Sequence, residues 1–203
     1  MRKEWMRVRM RETNRNRIFV FTGPDGSGRK SVAEAVGQTF GMEKIVSYAT
    51  RPPRPGEVNG QDYVFVNHDE YRELEQRGEF LESVEIDGQL YGIRSADIES
   101  KLDQHDSVYL ILNHEGASIL KHIYGDKAVR LFLYVDRRTA EDRQRNLGLP
   151  EEVIAKHLGH YERELGYRAS CEHAYENYDL AQTTYEITNT LETYLQRDLV
   201  DKD

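Results

Sequence analysis

A glycine-rich segment near the start of the chain has the residue types of a phosphate-binding loop. An apolar run at 18–21 precedes three glycines, and residues 32–36 then have the composition of a helix. Glycines let backbone N–H groups converge on oxygens, and a helix N-terminus favours negative charge, so this arrangement suits phosphate. The predicted loop residues are Gly23, Asp25, Gly26, Gly28, Arg29, Lys30 and Ser31.

Two positions of the loop depart from the Gly-x-x-x-x-Gly-Lys-Ser/Thr pattern of nucleotide-binding loops. Gly23 and Gly28 are correctly spaced, but Arg29 stands at the lysine position and Lys30 at the hydroxyl position. In that pattern the lysine contacts the β- and γ-phosphates and the hydroxyl binds Mg²⁺. Arg29 still offers charge, whereas Lys30 cannot bind a cation and carries the charge that the cation would supply.

A register shifted by one residue would restore a Lys30-Ser31 pair. It would also direct Ala33, instead of Val32, to the place where the helix should send an apolar residue into the core. We therefore favour the unshifted register. We also predict no metal site, since the histidines of the chain lack a carboxylate or thiolate at ligand spacing.

Length and charge bound the kinds of protein that this chain can be. Its 203 residues suit one domain, its single cysteine excludes an internal disulfide framework, and no apolar run approaches the roughly 20 residues that cross a bilayer. A soluble cytoplasmic protein without membrane contact is expected. Residues 1–17 carry a net charge of +5 and the remainder −13. The basic arm is expected to be flexible, and the acidic body argues against specific nucleic-acid binding.

Strand and helix patterns alternate along most of the chain, which predicts an α/β fold with a parallel sheet flanked by helices. Strands are predicted at 18–21, 44–48, 63–66, 79–86, 90–93, 108–112 and 129–135. Helices are predicted at 32–36, 69–77, 95–104, 116–123, 151–165 and 188–195. The stretch 47–93 does not alternate in this way and contains a hairpin signal at Asp87-Gly88, which indicates an inserted mixed β subdomain.

Arginines and tyrosines in this inserted region form a second candidate phosphate site. Arginine forks suit phosphate, although exposed loop residues on a charged surface are an equal alternative from the residues alone. The segments 46–66, 78–82 and 88–92 resemble the GMP-binding region of guanylate kinases, and the order and spacing agree from about 18 to 195. The resemblance implies a P-loop nucleoside-monophosphate-kinase core (18–46 and 94–199), a GMP-binding subdomain (47–93) and a lid (about 137–156).

The resemblance also implies a role for individual residues. The positions that match the GMP-phosphate site are Arg51, Arg54, Tyr63 and Tyr91, and those that match the guanine site are Ser47, Glu82 and Asn113. Arg29, Lys30 and Arg143 match positions that act on the transferred phosphoryl group. One departure lies on the GMP side: Ile93 stands where the family has a hydroxyl toward the base, which should weaken base discrimination.

The ATP side departs further from the family pattern. Ile111, Leu112 and Asn113 replace Asp-Ile-Asp, the lid keeps only Arg143 and Arg145 of its arginines, and His157 replaces another. The late strand that ends in Asn in the family is expected at 180–184, where this chain is polar.

Three functions remain open at this stage. A degenerate guanylate-kinase-like protein would bind GMP or a related guanine nucleotide, with phosphoryl transfer from ATP weak or lost. A working guanylate kinase would convert ATP and GMP to ADP and GDP with Mg²⁺. An interaction module would bind phosphopeptides in the GMP-phosphate pocket. We rank the first slightly above the second and the third well behind.

Overall fold

Two β-sheets organise residues 16–195, which are the residues that the computed structural model describes. The strands are β1 (Arg17–Thr22), β2 (Glu43–Lys44), β3 (Tyr48–Ala49), β4 (Val64–Phe65), β5 (Phe80–Ile86), β6 (Gln89–Arg94), β7 (Ser107–Ile111), β8 (Ala128–Tyr134) and β9 (His173–Glu176). The helices are α1 (Arg29–Phe40), α2 (His68–Gln76), α3 (Ser95–Gln104), α4 (His114–Tyr124), α5 (Arg137–Asn146), α6 (Glu151–Gly166) and α7 (Leu180–Leu195).

The first sheet is parallel, has the order β2-β7-β1-β8-β9, and is covered by helices on both faces. Alternate residues of β1 explain the two layers. Phe19 and Phe21 pack into a cluster with residues of α1 and α7, whereas Ile18 and Val20 pack into another with residues of α3 and α4. A strand that is buried on both faces typically has a continuous apolar sequence, and residues 18–21 of β1 are such a run. The predicted α/β class is confirmed.

The second sheet has the order β4-β3-β6-β5 and mixes parallel and antiparallel pairs. Asp87 and Gly88 form the turn between β5 and β6 with φ values of 52° and 77°, as expected for a two-residue hairpin turn. Tyr71 of α2 is fully buried and stacks on Phe80, with ring centroids 4.4 Å apart. This sheet fits the predicted inserted subdomain.

Two predicted elements are wrong. The strand expected at 44–48 is split into β2 and β3, which belong to different sheets, because the chain leaves the first sheet after the buried Ile45. The strand expected at 180–184 is the start of α7, which is capped by Asp179 through a 2.8 Å hydrogen bond from the Gln182 N–H. The late strand is instead β9, which precedes Asn177.

The basic segment predicted at 1–17 falls outside the described residues except for its last two. Arg17 is already part of β1, where it lies opposite Ser107 of β7. Within residues 16–195, no helix is long and apolar enough to cross a membrane.

Candidate active site

The loop between β1 and α1 contains glycines at positions where neighbouring elements leave no room for a side chain. Gly23 and Gly26 have positive φ values of 132° and 83°. A Cβ on Gly23 would lie 2.0 Å from the carbonyl oxygen of Leu133 in β8, and one on Gly26 would lie 2.4 Å from that of Ala140 in α5. Since a real Cβ does not approach an atom this closely, both positions require glycine in this fold.

The third glycine is held by Asn177, which follows β9. A Cβ on Gly28 would lie 2.4 Å from the Asn177 amide nitrogen, and that nitrogen donates a 2.7 Å hydrogen bond to the carbonyl of Ser27. The Asn177 side chain is buried and ties the loop to the edge of the parallel sheet. The sequence reasoning missed Asn177, although a polar residue directly after a parallel strand is a signal for a site at that edge.

Arg29 is the first residue of α1 and turns its guanidinium back over the loop. Its Nη1 donates to the Leu112 carbonyl at 3.0 Å, and its Nη2 donates to Asp25 Oδ1 at 2.9 Å. Burial alone would raise the pKa of Asp25, but nearby positive charge, that of Arg29 above all, outweighs burial and holds that pKa below its usual value. The cation at the lysine position is therefore oriented by two contacts.

Lys30 points away from this loop. Its ammonium forms an ion pair with Asp62, in the segment between β3 and β4, and its side chain is 53% exposed. The hydrogen bond that the Lys30 ammonium donates to Asp62 raises the pKa of Lys30. In this conformation Lys30 links α1 to the inserted subdomain and does not complete the phosphate loop.

The start of α1 is relevant to the two possible registers of the phosphate loop, with either Arg29 or Lys30 at the lysine position. Gly28 is the N-cap residue, with φ 85°, and Arg29 begins the helix. Val32 and Ala33 are both fully buried, so burial does not distinguish the two registers, while Ser31 is exposed. The orientation of Arg29 over the loop agrees with the unshifted register.

The protein side of this site does not fit a directly bound Mg²⁺. Lys30 occupies the position of a hydroxyl ligand, and the apolar Ile111 occupies that of a carboxylate at the end of β7. Among residues 16–195, no group of three or more His, Cys, Asp or Glu side chains is placed to hold a metal ion.

The inserted sheet brings Arg51, Tyr63 and Tyr91 together. The guanidinium carbon of Arg51 lies 4.8 Å from the centre of the Tyr63 ring, and the centroids of the Tyr63 and Tyr91 rings are 6.0 Å apart. Arg51 is 9% exposed and donates to both carboxylate oxygens of Glu57, at 2.6 and 2.7 Å. This bidentate geometry is the one that a phosphate takes with arginine. The sequence reasoning did not identify Glu57 as the partner of this fork.

Arg54 of the inserted subdomain contacts α6. Its backbone N–H donates to Glu57 at 2.7 Å, and its Nη2 lies 3.3 Å from Nε2 of His157. The other ring nitrogen of His157 lies 2.5 Å from Oε1 of Gln144 in α5. Burial lowers the pKa of His157, which favours the neutral ring beside the Arg54 cation. His157 of α6 thus contacts both the inserted subdomain, through Arg54, and α5, through Gln144.

A buried carboxylate lies at the predicted base site. Glu82 of β5 is 4% exposed, and no side chain or backbone N–H among residues 16–195 donates a hydrogen bond to it. Burial, together with the charge of Glu115, raises the pKa of Glu82 to about 7. Across from it, Asn113 accepts a 3.0 Å hydrogen bond from the Gly116 N–H at the start of α4. Ser47 is half-buried just before β3.

Arg143 and Arg145, both in α5, differ in what they contact. Nη2 of Arg143 donates to the Asn177 carbonyl at 2.7 Å, and its Nη1 would lie 3.6 Å from a Cβ on Gly28, so its guanidinium lies beside the phosphate loop. Arg145 instead pairs with Glu141 and Glu151 on the surface. Of the two, Arg143 is the one placed near the loop.

Comparisons with known proteins agree with this architecture. The family model described as guanylate kinase matches residues 15–194. A guanylate kinase of Nitrosomonas europaea is 30% identical over 177 residues, which cover 86% of this chain and 88% of that protein. The chain belongs to the guanylate kinase family. A guanylate kinase of Escherichia coli K12 is 32% identical over 166 residues, with 80% of each chain covered.

A solved structure supports the fold of this family member. The crystal structure of guanylate kinase from Anaplasma phagocytophilum superimposes with a TM-score of 0.74, covering 91% of this chain and 89% of that one, at 24% identity.

Proposed function

We propose that the protein is a working guanylate kinase, which transfers the γ-phosphoryl group of ATP to GMP and yields ADP and GDP. The bond from the γ-phosphorus to the β,γ-bridging oxygen breaks, and a bond to a phosphate oxygen of GMP forms. The family membership over nearly the whole chain favours this function over a degenerate member that has lost transfer.

The geometry of the Arg51 fork is the single observation that carries the proposal. Arg51 is buried between an aromatic ring and a carboxylate and already makes two parallel charge-assisted hydrogen bonds. A GMP phosphate in the same pocket would meet this fork together with the hydroxyls of Tyr63 and Tyr91. The buried Glu82 would then accept from N–H groups of guanine, which adenine cannot offer in the same arrangement.

On the donor side, Arg29 and Arg143 are the cations that lie at the phosphate loop. Phosphoryl transfer depends mainly on positioning and on neutralising charge. Arg29, held by Asp25 and the Leu112 carbonyl, would take the part of the loop lysine. Any Mg²⁺ would arrive with the ATP phosphates, since residues 16–195 offer it no group of three or more His, Cys, Asp or Glu ligands.

The test is nucleotide separation after the purified protein has been incubated with ATP, GMP and Mg²⁺. We expect GDP and ADP in equal amounts. Arg51→Ala should abolish GDP formation, while the matched change Arg72→Ala, at an exposed residue of α2, should leave it intact. Absence of GDP after hours at high protein concentration would overturn the proposal.

A slow transferase that chiefly binds GMP is the second candidate, and one contact favours it. Lys30 stands at the hydroxyl position and pairs with Asp62, so these loop residues supply neither a hydroxyl for the metal nor a second cation beside Arg29. A time course of the same assay, together with a GMP titration, decides between them, since this candidate predicts saturable GMP binding with GDP forming only over hours.

A further inference from the structure

Three cationic side chains lie at or beside the start of α1. The guanidinium of Arg29 lies over the phosphate loop, and Nη1 of Arg143 would lie 3.6 Å from a Cβ on Gly28. Lys30 follows Arg29 directly on the first turn of the helix. The N-terminus of a helix adds its own partial positive charge at the same place. The start of α1 therefore presents an excess of positive charge to a bound polyphosphate.

The carboxylates closest to these cations are already paired with them. Asp25 of the loop accepts from Arg29 at 2.9 Å, and Asp62 forms an ion pair with Lys30. At the end of β7, the side chain of Ile111 has no oxygen that could bind a cation. A divalent cation at the start of α1 would thus be repelled by positive charge and would meet carboxylates that have other partners.

The ammonium of Lys30 is held away from the loop only by a weak kind of contact. The Asp62 side chain is 9% exposed and also accepts from the Val58 N–H at 2.8 Å, whereas the Lys30 side chain is 53% exposed. An ion pair with an exposed partner contributes little free energy, and the stem of lysine is flexible. Because a triphosphate carries more negative charge than one carboxylate, Lys30 would leave Asp62 and turn towards bound ATP.

We propose that Lys30 takes the place of the metal ion, so that the phosphate loop binds metal-free ATP in preference to MgATP. A loop with a hydroxyl at this position uses it to bind Mg²⁺, which neutralises phosphate charge. In this chain the ammonium supplies positive charge directly and repels a divalent cation. The inference rests on the proposed function, because it takes ATP as the phosphoryl donor. It goes further in naming the form of ATP that binds and the residue that selects it.

Calorimetric titration of the full chain with ATP, once in excess EDTA and once in excess Mg²⁺, tests the inference. The ionic strength is matched in the two titrations, because salt screens charge. We expect the dissociation constant of metal-free ATP to be lower than that of MgATP by at least about tenfold. A smaller preference, or any preference for MgATP, would overturn the inference.

Substitutions at position 30 separate the charge of the side chain from its ability to bind a metal. Lys30→Met removes the charge at similar length, so it should weaken binding of metal-free ATP by about tenfold and abolish the preference. Lys30→Thr also supplies a hydroxyl for Mg²⁺, so it should reverse the preference. The matched control is Lys101→Met, at a lysine of α3 that pairs with Glu43, and it should bind both forms as the wild type does. A wild-type preference in Lys30→Met, in a variant that unfolds at the wild-type temperature, would overturn the inference.

The outcomes separate this inference from the proposed function. If ATP binds more tightly with Mg²⁺ and GDP forms, the inference fails and the function stands. If ATP binds in neither form and no GDP appears, the function fails and the inference fails with it.

Discussion

Glu82 keeps a carboxylate in a place where the folded protein does little to stabilise its charge. It is buried, has Glu115 nearby, and receives no hydrogen bond within the described chain. A raised carboxyl pKa means that the folded state binds a proton more tightly than the unfolded state does. The ionised form therefore costs stability, and this cost grows as the pH rises from the unfolded pKa of 4.5 to the folded pKa of about 7.

Glu82→Gln should remove this cost. At pH 8 we expect the variant to unfold with a higher free energy than the wild type, by up to roughly 3 kcal/mol, and at pH 4 the two should be nearly equal. The same variant should lose GMP affinity, because a neutral amide is a weaker acceptor. Urea unfolding at the two pH values measures the first effect. Equal gains at both pH values would contradict the assigned cause.

The pH dependence of GMP binding follows from the same residue. Binding through the N–H groups of guanine needs the ionised carboxylate. Affinity should thus be constant above about pH 8 and fall towards tenfold per pH unit below about pH 7. Titration calorimetry between pH 5.5 and 8.5 measures it. An affinity that rises on acidification would show that the protonated acid binds the base.

Helix α1 has a glycine at each end, and the two glycines are needed for different reasons. Gly28 and Gly41 cap the two ends of α1, and both have positive φ, at 85° and 63°. Only Gly28 is also crowded, since Asn177 lies against it, whereas a Cβ on Gly41 would meet nothing within 4 Å.

Gly41→Ala and Gly28→Ala form a matched pair. The first should cost about 1 kcal/mol of unfolding free energy, because alanine disfavours left-handed backbone. The second should cost that and about 1–3 kcal/mol more, because the Asn177 hydrogen bond to Ser27 would be displaced. Denaturant unfolding compares them, and equal losses would mean that the Asn177 contact contributes nothing.

For the whole molecule, the inserted subdomain meets the other elements through a buried apolar contact and several polar contacts. Ile93 of β6 is fully buried in a core cluster of the parallel sheet. Lys30 pairs with Asp62, and Lys44 donates to the Gln61 carbonyl at 2.8 Å. In α6, His160 lies 3.0 Å from Asp87. Partly exposed polar contacts of this kind are individually weak, so they can position the segment before β4 with little effect on global stability.

Lys30→Ser should therefore separate local from global effects. We expect faster amide exchange at residues 56–63, while the free energy of unfolding changes by less than about 1 kcal/mol. The control Lys101→Ser breaks another lysine–carboxylate pair, with Glu43 in β2, and should not affect exchange at 56–63. Unchanged exchange in Lys30→Ser would show that Asp62 does not depend on this lysine.

The sequence predicts the fold best where local and tertiary preferences agree. The buried run of β1 and the Asp87-Gly88 turn are such cases. Prediction from the sequence misses β9, which has only four residues that alternate between partly buried and exposed. It also misses the break at 44–48, where consecutive residues of one predicted strand belong to two different sheets. At the site, the family pattern places Arg51 and Glu82 in their segments. Contacts across the chain, such as Lys30 with Asp62, depend on tertiary distances that no local pattern contains.

The loop glycines also bear on which substitutions the site tolerates. Gly23, Gly26 and Gly28 each contact a different part of the fold, so neighbouring elements fix the backbone path of the loop. Arg29 and Lys30 act through their side chains, which contact Asp25, the Leu112 carbonyl and Asp62. The shape of the loop and its charge therefore depend on different residues, so that another pair of charged residues can be engineered at positions 29 and 30 on the same backbone.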